Sequence, residues 1–535
     1  MLAPATDHAA LCAGFRWQIP PRLNMARQVC DAWAEAEPDR LAILDLSDGG
    51  RAEIGYGRLR AMADGLARHL AGLGVARGDR VGVLRGQGAW TAAAHVAIWK
   101  LGAISIPLFR LFGTDALRMR LEDAGARHVI ADPAGHPGLP AWEEAGGRCI
   151  VPEALALDPA PLAAADTGSE DPAVLIYTSG TTGAPKGALH AHRVLTGHLP
   201  GVEISHDFLG SDPQDRLWTP ADWAWIGGLF DVLMPGLALG VPVVAARAER
   251  FSAEFAAGIV ARGAVRNVFF PPTALRMLKA ADVAIPGLRS VASGGEPLGA
   301  EMLDWGRRAF GLTINEFYGQ TECNMVASSC AAMFAPRPGC MGRAVPGFEL
   351  AVLDPEGHPT AAEGEIAVRR GAAAMMLGYW NRPAETAAKF TGDWMLTGDR
   401  GIREGDFLRF IGRADDVITS AGYRIGPGEI EDCLLTHPAV ATAGVVGKPD
   451  RLRTEIVKAY VVLRPGMAPS EALAAALQDH VRARVAAHAY PREIAFLDAL
   501  PMTVTGKVVR RALRARAIAE AEADAAASTM AGDSA

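Results

Sequence analysis

Residues 174–187 read VLIYTSGTTGAPKG, and this stretch constrains the chain more than any other. The apolar run Val174–Leu175–Ile176 has the length and composition of a buried strand. It runs into Tyr177, four hydroxyl residues (Thr178, Ser179, Thr181, Thr182), Gly180 and Gly183, and the close Pro185–Lys186–Gly187. A strand that ends in such a loop can wrap a polyphosphate. The hydroxyls and exposed amides donate hydrogen bonds, the glycines let the backbone approach, and the lysine adds a cation. It is not the Walker pattern, because Pro185 precedes the lysine and Gly187 follows it, so no helix opens there on a magnesium-binding hydroxyl. Taken alone, the same residues also read as a flexible surface loop.

The rest of the chain supplies more exits of the same kind. Arg58–Leu70 carries apolar residues at helical spacing, Val81–Leu84 reads as a strand, Trp90–Leu101 as a helix and Ala103–Leu108 as a strand. Helix Ala116–Leu121 and a strand from His128 follow, and residues 132–171 read as surface connection. Further strands lead into glycine turns at SGGEPLG (293–299) and GQTECN (319–324). Strand and helix alternating at short intervals imply βαβ units, hence an α/β fold with mostly parallel sheets flanked by helices. In such sheets ligands bind at the carboxyl ends of strands, where these loops lie.

From about residue 340 the texture becomes that of antiparallel hairpins, in GFELAVLDPEGHP, EGEIAVRR and TGDWMLTGD. Beyond GRADDVITSAGYRIGPGEIE (412–431) come strand, strand, helix, strand and helix, a compact α+β unit of roughly 110 residues, near ordinary domain size. The expected division is 1–412 for the large domain and 413–517 for the small one, with 518–535 an Ala/Glu/Asp-rich tail that frays.

Composition removes several function classes. The 535 residues exceed a single core. A net charge of −7 leaves no basic footprint for nucleic acid. Seven cysteines without a C-x-x-C pair point to a reducing compartment and to no structural zinc. No basic region followed by an apolar core marks the N-terminus, and the least charged stretch, 217–246, is broken by prolines, glycines, Asp222 and Asp231. The expectation is a cytoplasmic protein without stable membrane insertion. Within 217–246, Trp218, Trp223, Trp225 and Phe230 surround Gly227 and Gly228, as an open apolar pocket wall or equally as a packed core.

Seven segments in order, YTSGTTGAPKG, SGGEPL, FYGQTE, GEIAVRRGAAAMMLGYWNRPAETAAKF, TGD (397–399), GRADDVITSAGYRIGPGEIE and PMTVTGKVVRR (501–511), resemble the adenylate-forming superfamily over nearly the whole chain. Within it the chain looks most like the acetyl-CoA and medium-chain acyl-CoA synthetases. The resemblance implies ATP, Mg2+ and coenzyme A. A carboxylate attacks the α-phosphate to give an acyl-adenylate and pyrophosphate, and a thiol then displaces AMP. It implies that Thr178, Ser179, Gly180, Thr181, Thr182 and Lys186 hold the β- and γ-phosphates, and that Gly295, Glu296 and Pro297 line the adenine slot beside Tyr318, Gly319 and Gln320. Thr321 would donate to the α-phosphate and Glu322 would bind the magnesium. Asp399 and Arg413 would take the ribose. Lys507 would be the mobile cation of adenylation, Asp415 the hinge, Arg424 a nucleotide contact in one arrangement, and Ala421, Gly422 and Arg482 the coenzyme A contacts. His190 and His192, though close to the loop, read as structural.

Acetate-specific relatives carry a tryptophan where this chain has Gly319 and a larger aliphatic residue where it has Gly294. With Gly227, Trp223 and Trp225, the expectation is an acyl pocket for a monocarboxylic acid larger than acetate and apolar, aliphatic or aryl. Alternatives are another acceptor, a carrier-protein thiol or an amine, and a non-catalytic nucleotide-binding protein. Related enzymes are silenced by acetylation of the lysine at the 507 position, so a protein acetyltransferase and deacetylase are expected partners. Monomer and homodimer are both open.

Overall fold

The computed structural model describes residues 2–47, 49–178, 185–246, 251–413, 416–420, 423–450, 453–485, 489–503 and 507–532. The side chains of Thr419, Tyr423, Arg424, Glu429 and residues 524–532 fall outside this description. So do Ser179, Gly180, Thr181, Thr182, Asp415, Ala421 and Gly422. The chain divides into two compact units, Met1–Leu350 with Val368–Met395, and Ala351–Ala367 with Leu396–Ala535.

The first unit is built on two sheets, as strand–helix alternation requires. One has seven strands in the order Gly378–Tyr379, Lys186–Ala191, Pro172–Thr178, Ile104–Pro107, Arg80–Leu84, His128–Ala131 and Arg148–Ile150. From Pro172–Thr178 onward all pairs are parallel, while Lys186–Ala191 returns antiparallel at the edge. The other has nine strands, ordered Arg343–Ala344, Asn324–Ser328, Ile314–Gln320, Ser290–Gly294, Asn267–Phe269, Leu217–Trp218, Val243–Ala245, Leu41–Asp45 and Ala52–Gly55. Its six central strands are parallel and both edges are closed by antiparallel strands.

Helix Tyr56–Gly72 buries Leu59, Ala63, Leu66 and Leu70, the face its sequence spacing marks. Helix Ala89–Lys100 is buried on almost every side. Its last residue, Lys100, is fully buried with its Nζ 2.7 Å from Asp31 Oδ1, in contact with Asp64, and 3.0 Å from the Leu162 carbonyl. A buried cation needs such partners, since desolvation alone would expel it.

Two segments depart from the sequence expectation. Within 132–171, helix Leu139–Glu144 and edge strand Arg148–Ile150 extend the seven-stranded sheet. Three residues are too few to show a period. Residues 226–239 form consecutive helical turns, Ile226–Gly228, Leu229–Leu233 and Met234–Leu239. They are buried nearly all round, so no amphipathic stripe announces them, and Pro235 opens the last turn, where its missing N–H costs nothing.

The second unit contains the hairpin of Trp394–Glu404 with Phe407–Arg413 and an α+β module. In the module Tyr423–Ile425, Ile418–Ser420, Thr454–Leu463 and Val440–Asp450 pair antiparallel, and Glu493–Phe496 lies parallel to Thr454–Leu463. Ile418, Ile430, Leu434, Val445, Val461, Leu477 and Val481 form its core under helices Pro427–Leu435 and Glu471–Arg484. The unit begins earlier in sequence than residue 413. Residues 518–532, part of the segment that composition assigns to fraying, belong to helix Arg510–Gly532, consistent with their alanine content. Likewise Lys507 lies before this helix rather than in it.

All seven cysteines are free; Cys12 and Cys149 are half-buried and the other five buried. No helix among the described residues is long and apolar enough to cross a membrane.

Candidate active site

The phosphate-loop candidate joins two paired strands. Thr178 stands opposite Lys186 and Tyr177 opposite Gly187, so the two strands pair antiparallel right up to the loop. Gly187 packs closely, a Cβ there lying 2.7 Å from the tip of the Leu175 side chain. Tyr177 anchors the first strand, its hydroxyl donating to Asp123 Oδ2 at 2.7 Å. Arg382 bonds the other oxygen of Asp123 at 3.2 Å, and Trp380 Nε1 donates to the Asp123 carbonyl at 3.1 Å. Burial, then the Asp123 bond, push the Tyr177 hydroxyl's pKa upward, so it stays a donor.

Thr321, Glu322 and Cys323 form the turn between strands Ile314–Gln320 and Asn324–Ser328. Glu322 is 9% exposed, and its carboxylate accepts a short hydrogen bond from the Tyr379 hydroxyl. The Met376 amide donates to the Glu322 carbonyl at 2.8 Å. Tyr379 also lies under the phosphate hairpin, its ring centroid 5.3 Å from Lys186 Nζ and its backbone paired with Ala188. One tyrosine thus joins the loop lysine to the turn carboxylate. Sequence reasoning missed it, although it stands in the segment LGYWNRP that the resemblance already singles out. A buried, tyrosine-bonded carboxylate with oxygen donors is a fitting ligand for a hard divalent cation.

The adenine-slot residues leave strand Ser290–Gly294 next to this turn, with Gly294 opposite Phe317, one residue before Tyr318. Gly295 takes φ +101°, which only glycine adopts cheaply. The Glu296 carboxylate is paired with Arg276 at 2.8 Å. His190 and His192 are buried; burial lowers them to about 3 and about 4, and His192 Nδ1 accepts from the Met25 amide at 3.1 Å. Neither is charged at neutral pH, in keeping with a structural role.

Around the expected acyl pocket the structure shows an aromatic row. Trp225 and Phe269 have ring centroids 5.8 Å apart, and Phe269 and Phe317 5.3 Å. Gly227 lies against the Trp225 ring, 2.7 Å from a hypothetical Cβ, and Gly294 against the Phe317 ring at 2.4 Å. Trp223 is fully buried and Trp225 half-buried. From sequence Phe269 reads as one residue of an ordinary apolar strand, and Phe317 only as the strand residue that opens FYGQTE. Gly319 differs from the expectation: a Cβ there would sit 1.7 Å from the Asn324 carbonyl oxygen. The room beside Gly319 is therefore filled by backbone, and a tryptophan cannot be introduced without displacing the turn.

In the second unit, Asp399 and Arg413 face each other across the hairpin, Nη1 to Oδ1 3.4 Å, with Asp399 5% exposed. Gly398 precedes at φ +78°, its amide donating to Glu365 at 3.0 Å. Lys507 is bonded to Thr503 twice, Thr503 N donating to the Lys507 carbonyl at 2.7 Å and Lys507 N to Thr503 Oγ1 at 3.0 Å. Arg482, ending helix Glu471–Arg484, lies over the Tyr490 ring at 4.1 Å and pairs with Asp479 at 2.5 Å. Arg492 faces the same ring at 5.1 Å.

The family description "AMP-binding enzyme" matches residues 30–380, and "AMP-binding enzyme C-terminal domain" matches residues 429–507. The chain belongs to the AMP-binding enzymes. It is 33% identical over 522 residues to the acetyl-coenzyme A synthetase of Bacillus subtilis (strain 168), covering 92% of this chain and 90% of that protein. It is 31% identical to the mitochondrial acyl-coenzyme A synthetase ACSM2 of Rattus norvegicus, covering 93% and 92%. Among solved structures, the anthranilate CoA ligase AuaEII with anthranoyl-AMP gives a TM-score of 0.84 at 28% identity, covering 94% of this chain and 99% of that one. The Brucella canis acyl-CoA synthetase gives 0.72 at 33% identity, covering 96% and 99%. The chain is thus an adenylate-forming acid–CoA ligase of the acyl-CoA synthetase branch, whose co-reactants are ATP, Mg2+ and coenzyme A.

Proposed function

We propose that this enzyme adenylates a short-to-medium-chain, branched or aryl monocarboxylic acid larger than acetate and transfers it to coenzyme A. The observation that carries the reading is Tyr379, which couples Lys186 of the phosphate hairpin to the Glu322 carboxylate. In this reading Lys186 and the loop hydroxyls grip the leaving pyrophosphate. Glu322 holds Mg2+, which neutralises phosphate charge when bound, and Thr321 donates to the α-phosphate. Asp399 accepts from both ribose hydroxyls with Arg413 beside it. Lys507 draws the substrate carboxylate onto the α-phosphate, a transition-state contact of the kind that dominates such catalysis. Arg424 contacts the nucleotide in one arrangement, and Ala421, Gly422 and Arg482 serve the second half-reaction after a rotation at Asp415.

The apolar character of the acid is supported by the aromatic row Trp225–Phe269–Phe317, in which Phe269 and Phe317 are buried and Trp225 is half-buried at its end. Its size no longer leans on Gly319. The test is pyrophosphate release, with and without coenzyme A, across acetate, butyrate, hexanoate, octanoate and benzoate. Acetate as the best substrate would sink the size assignment. Pyrophosphate without any thioester would favour another acceptor.

A further inference from the structure

The turn that carries Thr321 and Glu322 is tethered by a buried polar group for which adenylation has no direct use. Asn324 ends the turn at φ +52°, in the left-handed region, and is 4% exposed. Within the turn the Cys323 amide donates to the Gln320 carbonyl at 3.1 Å. Asn324 Nδ2 donates to Asp231 Oδ1 at 2.7 Å and also contacts the ring nitrogen His198 Nδ1, which lies 3.3 Å from the Phe230 carbonyl. Asp231 comes from the helical turn Leu229–Leu233, and His198 from helix Val194–Ser205, which follows the phosphate hairpin. The His198 ring stands edge-on to Phe230, centroids 5.1 Å apart.

Glycine would give the same left-handed turn without burying an amide and a carboxylate, groups that are costly to desolvate. What the asparagine adds is attachment. The amide nitrogen donates to Asp231 on one helical segment and contacts His198 on another, so the end of the turn is fixed against both. Tyr379 holds the Glu322 carboxylate from the hairpin, and Asn324 holds the backbone two residues later. We propose that Asn324 and Asp231 are positioning residues for adenylation, tethering the Thr321–Glu322 turn to helical segments 194–205 and 229–233. This rests on the reading that Thr321 and Glu322 serve the adenylation step.

Asn324→Gly tests it, since it keeps the backbone conformation and cuts the tether, with Asp231→Asn as the companion that retains an acceptor oxygen. Hydrogen exchange is followed on a peptide spanning 318–325. Pyrophosphate release is titrated with Mg2+, and thioester formation is measured from supplied acyl-adenylate. Asn324→Gly is expected to speed exchange in that peptide about tenfold and to raise the Mg2+ needed for half-maximal release about fivefold, with the thioester step within about twofold of the parent. Asp231→Asn is expected to lie between Asn324→Gly and the parent. Unchanged exchange in Asn324→Gly overturns the tether, and an equal fall in both half-reactions overturns its link to adenylation. Should the parent release no pyrophosphate with any acid, the adenylation reading falls, and the exchange measurement alone still decides whether the tether holds the turn.

Discussion

Two side chains carry most of the chemistry proposed at the scale of single residues. Lys507→Ala is expected to cut pyrophosphate release about 10²–10³-fold while leaving thioester formation from supplied acyl-adenylate nearly intact. Acetylation of Lys507 removes the same cation and should reproduce that split; equal loss of both steps would refute the assignment. Tyr379→Phe keeps the ring beneath Lys186 and deletes the bond to Glu322. A hydrogen bond to a charged group contributes about 1.5–3 kcal/mol, so adenylation should fall at least about tenfold and recover partly at high Mg2+. An unchanged Mg2+ titration in that variant would mean Glu322 does not hold the ion. The candidates named from sequence were legible because their neighbours form fixed strings, as in GQTE around Glu322 or TGK before Val508. Tyr379 lay inside such a string yet stayed unread, since nothing in one dimension shows that its hydroxyl reaches a carboxylate 57 positions away. Phe269 was hidden for the opposite reason, as one more apolar residue in a buried strand, whereas Phe317 heads the string FYGQTE and reads there only as the end of a strand.

Elements follow a similar rule. Strands and helices with room for a full period, such as Tyr56–Gly72 or Thr454–Leu463, were readable from spacing. Those buried on all faces, such as residues 226–239, or three residues long, such as Arg148–Ile150, carry no alternation to detect. The hairpin turn after Gln320 shows what spacing cannot convey. From sequence Gly319 is an absent tryptophan; in three dimensions it is the only residue that fits against the Asn324 carbonyl. Gly319→Ala should therefore lower the melting temperature and adenylation together rather than redirect specificity. A stable, active Gly319→Ala enzyme would contradict the turn geometry.

The tether beneath this turn also has a pH signature. Burial raises Asp231 from the ordinary carboxylate range to about 7, with the Asn324 bond opposing it. A raised carboxyl favours the protonated folded state, so its cost is absent below about pH 4, grows as pH rises and levels off above about 7. Asp231→Asn should gain stability relative to the parent by about 2–3 kcal/mol between pH 5 and 7.5. A pH-independent difference between the two would show that Asp231 titrates normally.

For the whole molecule, the sequence division at 412/413 separates what folds as the small α+β module, whereas compactness assigns the preceding hairpin with Asp399 to the second unit as well. Contacts of that kind join distant positions, and composition does not shift where they are made. Substrate choice belongs to this scale because three elements build the aromatic row. Trp225→Ala should favour longer acids in kcat/KM by roughly fourfold for each methylene accommodated, about 0.8 kcal/mol apiece. A flat profile would place the acyl chain elsewhere.

The cysteines bear on what such an enzyme must survive. Acyl-adenylates and thioesters are electrophiles, and the species they attack on proteins is the thiolate. Burial pushes Cys12 to about 11 and Cys330 to about 12, Cys149 and Cys30 are also raised, and Cys323, Cys340 and Cys433 are buried. Burial of five thiols and the upward shift of Cys12, Cys30, Cys149 and Cys330 oppose thiolate formation at neutral pH, so the chain's own sulfur competes weakly with the substrate thiol for an activated acyl group.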